Sequence, residues 1–154
     1  MDDVEEIKKL KARYFRALDS QDWELYESVF AEDVVVDLTR AGGEKFAGRP
    51  AFMAYATAMP LVQSVHHGHM PEIDLTGETT AAGVWVLEDY NIWQDGSQNH
   101  GWGHYLETYE KQDGRWFIKT MALSYLRIEQ PTGQPAMVAG VEGRAHLRGL
   151  RPAG

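Results

Sequence analysis

The sequence predicts an α+β domain in which a curved, mainly antiparallel sheet forms a cone around three N-terminal helices. Three observations carry that expectation. Helical periodicity is confined to the N-terminal part and stops at Pro60. Three long β-patterned runs follow, at about 81–94, 98–112 and 115–130. Asp95-Gly96 and Asp113-Gly114 join those runs, and Asp-Gly between such segments is the strongest short-range hairpin signal. With helices first and a strand meander last, the sheet must curl around the helices to bury both apolar faces. Its interior is then a cone open at one end.

Each element has its own justification. Asp2 or Asp3 can cap a first helix whose apolar residues Val4, Ile7, Leu10, Tyr14 and Leu18 keep the helical period. Ser20-Gln21-Asp22 interrupts it, and Asp22 can cap a second, short helix carrying Leu25, Tyr26, Val29 and Phe30. Val34-Val35-Val36 reads as a strand closed by the turn at Gly42-Gly43. Gly48-Arg49-Pro50 opens a third helix, with proline in the first turn where its missing N–H does no harm. Ile73–Leu75 reads as a short strand ahead of the turn at Thr76-Gly77-Glu78. The periodic pattern ends at Pro131, which divides a domain over 1–130 from a Gly-, Ala-, Arg- and Pro-rich tail over 131–154 that is either flexible or packed on a neighbouring subunit.

Composition narrows the function classes. With 154 residues the chain is long enough for one domain with a sizeable core. The absence of cysteine excludes disulfides, thiolate catalysis and Cys-type zinc sites, and suits a reducing, cytoplasmic setting. A net charge of −8 with dispersed basic residues argues against nucleic acid and anionic membrane surfaces. No signal peptide is visible at the acidic N-terminus, and no apolar run approaches a membrane span. Seventeen Phe, Tyr and Trp residues are enough to line a pocket as well as fill a core.

The ionisable residues point to acid–base chemistry. If both Asp-Gly turns have two-residue loops, counting outward pairs Asp89 with Trp102 and Tyr125, Asn91 with His100 and Arg127, and Leu87 with His104 and Leu123. One face then carries Trp85, Asp89, Asn91, Trp102, His104, Tyr125 and Arg127, a mixture suited to a ligand-binding wall. The opposite face carries Val84, Val86, Tyr90, Ile92, Leu126 and Ile128, apolar enough for a subunit interface. Asp89 sits mid-strand, where a carboxylate is costly unless it is paired or functional. Taken alone, Asp19 reads first as turn chemistry, and Trp85, Trp102 and His104 are most simply core. Within Val65-His66-His67-Gly68-His69 the last two histidines alternate, but no carboxylate lies close enough in sequence to complete a metal site, so none is assigned.

The run Tyr14-Phe15-Arg16-Ala17-Leu18-Asp19 with Asp22-Trp23, His66 ahead of Pro71-Glu72-Ile73, and Gly103-His104-Tyr105 through Tyr109 to Asp113-Gly114-Arg115-Trp116 resemble SnoaL-like proteins of the nuclear transport factor-2-like superfamily. That group includes scytalone dehydratase, hexachlorocyclohexane dehydrochlorinase and limonene epoxide hydrolase. Met59-Pro60, Gly68-His69, Pro71-Glu72-Ile73, Glu78-Thr79-Thr80-Ala81, Leu87-Glu88-Asp89 and Tyr125 to Ile128 are similar to the bile acid 7α-dehydratases, over about residues 4 to 130. Leu38 falls where those enzymes have a pocket tyrosine, and Asn91 where scytalone dehydratase has a second histidine.

The resemblance implies a cofactor-independent dehydratase, a carbon–oxygen lyase acting on a hydroxylated steroid or similar small hydrophobic polycycle, as a free acid or a CoA ester. It further implies a homo-oligomer, a trimer before a dimer. His66, Asp19, Tyr14 and Asp89 would be catalytic, while Arg127, Tyr125, Trp102, Trp85, Leu38, Asn91 and His104 would contact substrate. Ketosteroid-type isomerisation or polyketide cyclisation in the same cone, and a non-enzymatic binding module, are the rival expectations.

Overall fold

A computed structural model describes residues 2–132 together with 144, 145, 148 and 150. The helices form where the periodicity places them. Helix α1 spans Asp3–Ser20 and is capped by Asp2, whose carboxylate accepts from the Val4 N–H. It buries Ile7, Leu10, Tyr14, Ala17 and Leu18, and ends where Gln21 turns left-handed. Helix α2, Trp23–Glu27, is capped by Asp22 through the Leu25 N–H. Helix α3, Arg49–Ala58, starts after Gly48 with proline in its first turn.

The strands are β1 Phe30–Asp37, β2 Lys45–Ala47, β3 Leu61–Leu75, β4 Thr80–Trp93, β5 Gln98–Gln112 and β6 Arg115–Glu129. They form one mixed sheet in the order β2-β1-β6-β5-β4-β3. Every pairing is antiparallel except β1 with β6. The three helices lie against its inner face, where an aromatic cluster of Tyr14, Tyr26, Phe30, Phe52 and Tyr105 occupies the core. Among the described residues no helix is long and apolar enough to cross a membrane.

Two expectations about the strands need correction. The short strand at Ile73–Leu75 is the end of a 15-residue edge strand that carries all three histidines of the cluster. Pro71 is compatible with an edge, where a missing N–H breaks no inner ladder bond. The second correction concerns register. Trp93 N–H bonds the Ser97 carbonyl, so the β4–β5 loop is Gln94-Asp95-Gly96, three residues with Gly96 at φ +84°. That extra residue shifts the β4–β5 register by one and turns β5 over. Asp89 therefore pairs with Gly101, Leu87 with Gly103 and Asn91 with Asn99, while Trp102 pairs with Glu88.

The β5–β6 turn does have two residues, Asp113 and Gly114, both at positive φ as a type I′ turn requires. A bulge between Ile118 and Thr120 then restores Leu123 and Tyr125 to the inner face. A second irregularity between Tyr125 and Arg127 sends Arg127 outward against Trp102 and brings Ile128 inward opposite Gly101. The expected outward position of Ile128 is thus reversed.

The proposed tail at 131–154 falls mostly outside the described residues. Two that are described lie against this chain's own domain, with Arg148 donating to the Ser20 carbonyl at 2.7 Å and Arg144 to that of Val62 at 3.2 Å.

Candidate active site

A half-open cavity of about 370 Å³ lies between the helices and the inner face of the sheet. Its apolar lining comes from Leu18 of α1, Phe52 and Tyr55 of α3, Leu38 and Ala41 after β1, and Met121, Leu123 and Ile128 of β6. The polar groups that reach it are few: Tyr14, His66, Asp89, Asn91, Asn99 and Tyr125 among them. A mostly apolar cleft with a few convergent polar groups is the usual form of a small-molecule site.

His66 reaches the cavity because β3 alternates. Ser64, His66 and Gly68 face inward, opposite Asn91, Asp89 and Leu87 on β4. His66 and Asp89 are therefore cross-strand neighbours on one rung, with Cβ atoms roughly 4.5–5.5 Å apart in such pairs. Gly68 stands on this face because a Cβ there would lie 2.5 Å from the Phe15 ring.

Asp19, in the last turn of α1, holds the histidine. Its Oδ1 is 2.7 Å from His66 Nδ1 and accepts from Ser64 Oγ at 2.9 Å, while its Oδ2 accepts the His66 backbone N–H at 2.8 Å. An ionised carboxylate can only accept, so Nδ1 carries the imidazole proton and Nε2 keeps its lone pair. The side chains are only 10% and 20% exposed, so water competes little for this contact.

Asp89 is buried, and its Oδ2 accepts the Tyr125 hydroxyl. Its Oδ1 has no hydrogen-bond partner among the described residues. A buried carboxylate oxygen without a partner costs desolvation energy, and a ligand atom or water that reached it would recover that cost. Gly101 makes the arrangement fit: a Cβ there would lie 2.5 Å from the Tyr125 ring and 2.7 Å from Asp89 Oδ1. Burial pushes the Tyr125 hydroxyl far above its ordinary pKa, with the Asp89 charge adding to the effect, so it stays a donor. Tyr14 is buried at the cavity floor, and burial likewise holds it well above the ordinary range as a neutral donor.

The expected site thus separates into two groups. Tyr14, Asp19, His66, Asp89, Asn91, Tyr125 and Leu38 come together at the cavity. Trp85 is on the inner face but packs in the core, its indole N–H donating to the Tyr109 hydroxyl at 2.9 Å. Trp102, His104 and Arg127 are on the outer face because of the register shift and the β6 irregularity. The Arg127 guanidinium is exposed, bonded to Glu129 and 5.9 Å from the Trp102 ring, so it does not meet a ligand in the cavity.

One feature beside the site escaped the sequence reading. Lys11 of α1 is fully buried, 2.5 Å from Glu107 Oε1, with its Nζ 3.7 Å and 3.6 Å from the Tyr14 and Tyr105 ring centroids. Tyr109 donates to the other oxygen of Glu107 at 2.5 Å. Burial lowers the Lys11 pKa to about 8, opposed by the charge and hydrogen bond of Glu107. The available signal was positional: Lys11 sits on the apolar stripe between Ile7 and Leu18, and Glu107 alternates with two inward tyrosines.

A helix-backed cone with a histidine–carboxylate pair on its inner wall defines a class of small cavity-bearing α+β proteins. The sequence matches the SnoaL-like domain family over residues 1–122, and the chain belongs to that family. Solved structures share the fold. A hexachlorocyclohexane dehydrochlorinase (LinA type 2) superposes with TM-score 0.77 at 14% identity, covering 87% of this chain and 92% of that one. A candidate scytalone dehydratase from Novosphingobium aromaticivorans gives 0.74 at 22% identity, covering 89% and 95%. A candidate aromatic ring hydroxylase from the same organism gives 0.77 at 19%, covering 85% and 96%.

Proposed function

We propose that the cone is the active site of a dehydratase that eliminates water from a 7α-hydroxy-3-oxo-4-ene steroid or a similar polycyclic alcohol. The observation that carries the reading is a His66 held by Asp19 beside an Asp89 with one open carboxylate oxygen, all at an apolar cavity. A binding cavity alone has no need of such a pair. Two structural neighbours named for elimination chemistry, the dehydrochlorinase and the candidate scytalone dehydratase, favour the same reaction type.

The mechanism follows from the acidity each step needs. An unactivated C–H is far too weak an acid for imidazole, but a C6 proton conjugated through an enone to the C3 ketone is not. His66 Nε2 takes that proton, and Asp19 stabilises the imidazolium that forms. The electron pair moves through the enone, and Tyr14, kept neutral by burial, donates to the ketone oxygen as charge develops there. The C7–O bond then breaks as the 6,7 double bond forms. Asp89 Oδ1 accepts a hydrogen bond from the departing hydroxyl and positions it, and the proton that His66 took from C6 passes to that oxygen, directly or through a water, so that water leaves and the imidazole is neutral again.

The test is direct. Purified protein is incubated with a 7α-hydroxy-3-oxo-4-ene steroid while the absorbance of the extended 4,6-dien-3-one is followed. Turnover is expected with the 7α epimer and little with the 7β, because acid and base sit on fixed faces of the ring. Conversion of a 5-ene to a 4-ene ketone without dehydration would instead assign ketosteroid-type isomerisation. No turnover of any such steroid, alongside tight binding of an unrelated small aromatic, would overturn the proposal.

A further inference from the structure

Glu88 occupies the rung next to Asp89 and therefore faces the other way, onto the outer surface of the sheet. It pairs with His67, and His69 projects from the same face two residues along the edge strand. One ligating atom each from His67, His69 and Glu88 lie within 4.8 Å of one another. The His67 and His69 rings are 5.6 Å apart at their centroids, and His69 Nε2 is 3.8 Å from Glu88 Oε2. The local sequence supplies no carboxylate to these histidines, but the β3–β4 ladder does.

A third histidine completes the arrangement from β5. His100 Nε2 is 2.8 Å from Glu88 Oε1, and its ring lies 3.9 Å from that of Trp102 at 31°. A metal-ligating carboxylate is commonly oriented in this way by a hydrogen bond to its second oxygen. Here Oε1 is engaged by His100, which leaves Oε2 directed toward the two histidines of the edge strand.

We infer that His67, His69 and Glu88 form a binding site for a borderline divalent cation of the zinc class, on the opposite face of the sheet from the cavity. Two imidazoles and a carboxylate suit such an ion and not magnesium or calcium, which prefer all-oxygen shells. Bonds of about 2.0–2.1 Å in a tetrahedron put neighbouring ligand atoms roughly 3.3 Å apart. The two histidines are exposed among the described residues, and their ligating atoms have to close from within 4.8 Å to that spacing, a swing of up to about 1.5 Å. Water takes the fourth position. A bound ion would tie the edge strand to β4 at the rung adjoining His66 and Asp89, just before Met70 leaves the ladder at φ +40°. This site is independent of the chemistry assigned to the cavity.

The experiment uses the full chain with no affinity tag, and zinc as the probe. Competition against a chromophoric chelator should give one zinc per chain, and zinc should raise the Tm. In His67→Gln/His69→Gln both effects should vanish, with circular dichroism unchanged. His100→Ala should weaken binding by about tenfold to a hundredfold, the usual cost of losing an orienting partner. Excess magnesium should not displace the zinc. Failure of the wild-type chain to bind, undiminished binding by the double variant, or displacement by magnesium would each overturn the site.

Discussion

Replacing either member of the Asp19–His66 pair should remove most of the turnover, and replacing both should remove scarcely more. His66→Ala deletes the base. General-base catalysis contributes roughly 10²–10⁴-fold, or about 3–5 kcal/mol of barrier. Asp19→Asn is subtler. The carboxylate accepts three hydrogen bonds, from Ser64 Oγ at 2.9 Å and from the His66 backbone N–H and Nδ1 at 2.8 and 2.7 Å. The amide retains one accepting oxygen but turns a donor toward at least one of those partners, and it no longer balances an imidazolium. One charge-assisted hydrogen bond of about 1.5–3 kcal/mol corresponds to a loss in kcat of roughly tenfold to a hundredfold. With the imidazole already gone, the same change has nothing left to orient. His66→Ala/Asp19→Asn should therefore lie within about threefold of His66→Ala. Initial rates on a steroid substrate, with circular dichroism to establish folding, measure the cycle. A double variant slower by the product of the single losses would refute the coupling.

Other expected outcomes concern the core beside the site. Lys11→Met strands Glu107 in the interior and should cost about 3–5 kcal/mol in urea unfolding, whereas Lys11→Met/Glu107→Gln should recover much of it. Lys11 is lowered to about 8 in the folded chain against 10.5 ordinarily, so the unfolded state binds more protons between those values. Stability should accordingly rise with pH from about 8 toward 10, above which ordinary tyrosine ionisation in the unfolded chain reverses the trend. Lys11→Met should flatten that rise, and chemical unfolding across the range reads it. Gly101→Ala should lower kcat more than it lowers Tm, because the added methyl meets Asp89 Oδ1 and the Tyr125 ring at 2.7 and 2.5 Å. Equal loss in a distant inner-face control would argue against a specific effect.

The helices were legible because each is marked locally: Asp2 and Asp22 as caps, Gly48 and Pro50 at the third start. Tyr14, Asp19, His66 and Asp89 were legible as residue types and through the family resemblance, but their meeting depends on a strand the pattern concealed. Leu61–Leu75 contains three histidines, Gly68 and Pro71, and takes its extended form from pairing along β4 rather than from its own composition. The placement of Trp102, His104 and Arg127 failed for a different reason. Facing depends on parity: the loop Gln94-Asp95-Gly96 has one residue more than its Asp-Gly pair advertises, which turns Trp102 and His104 outward, and the irregularity between Tyr125 and Arg127 does the same for Arg127. Glu88 and the outer histidines became neighbours through the same ladder, which a local search around residue 67 does not sample.

The single parallel pairing of the sheet has a consequence for biogenesis. Val36 in β1 pairs with Met121 in β6, so the middle of the sheet joins an early strand to the last of the described strands. On the ribosome, β1 and the apolar faces of the helices have to wait for almost the whole domain to emerge before the sheet can close over them. Contacts this distant in sequence are slow to form, since loop closure precedes any gain from pairing. A chain ending before Arg115 would leave β1 without its inner neighbour and the aromatic core open on one side. Premature termination, or a stall late in translation, would expose a sticky half-sheet where a short C-terminal deletion in most helical bundles would only fray an end.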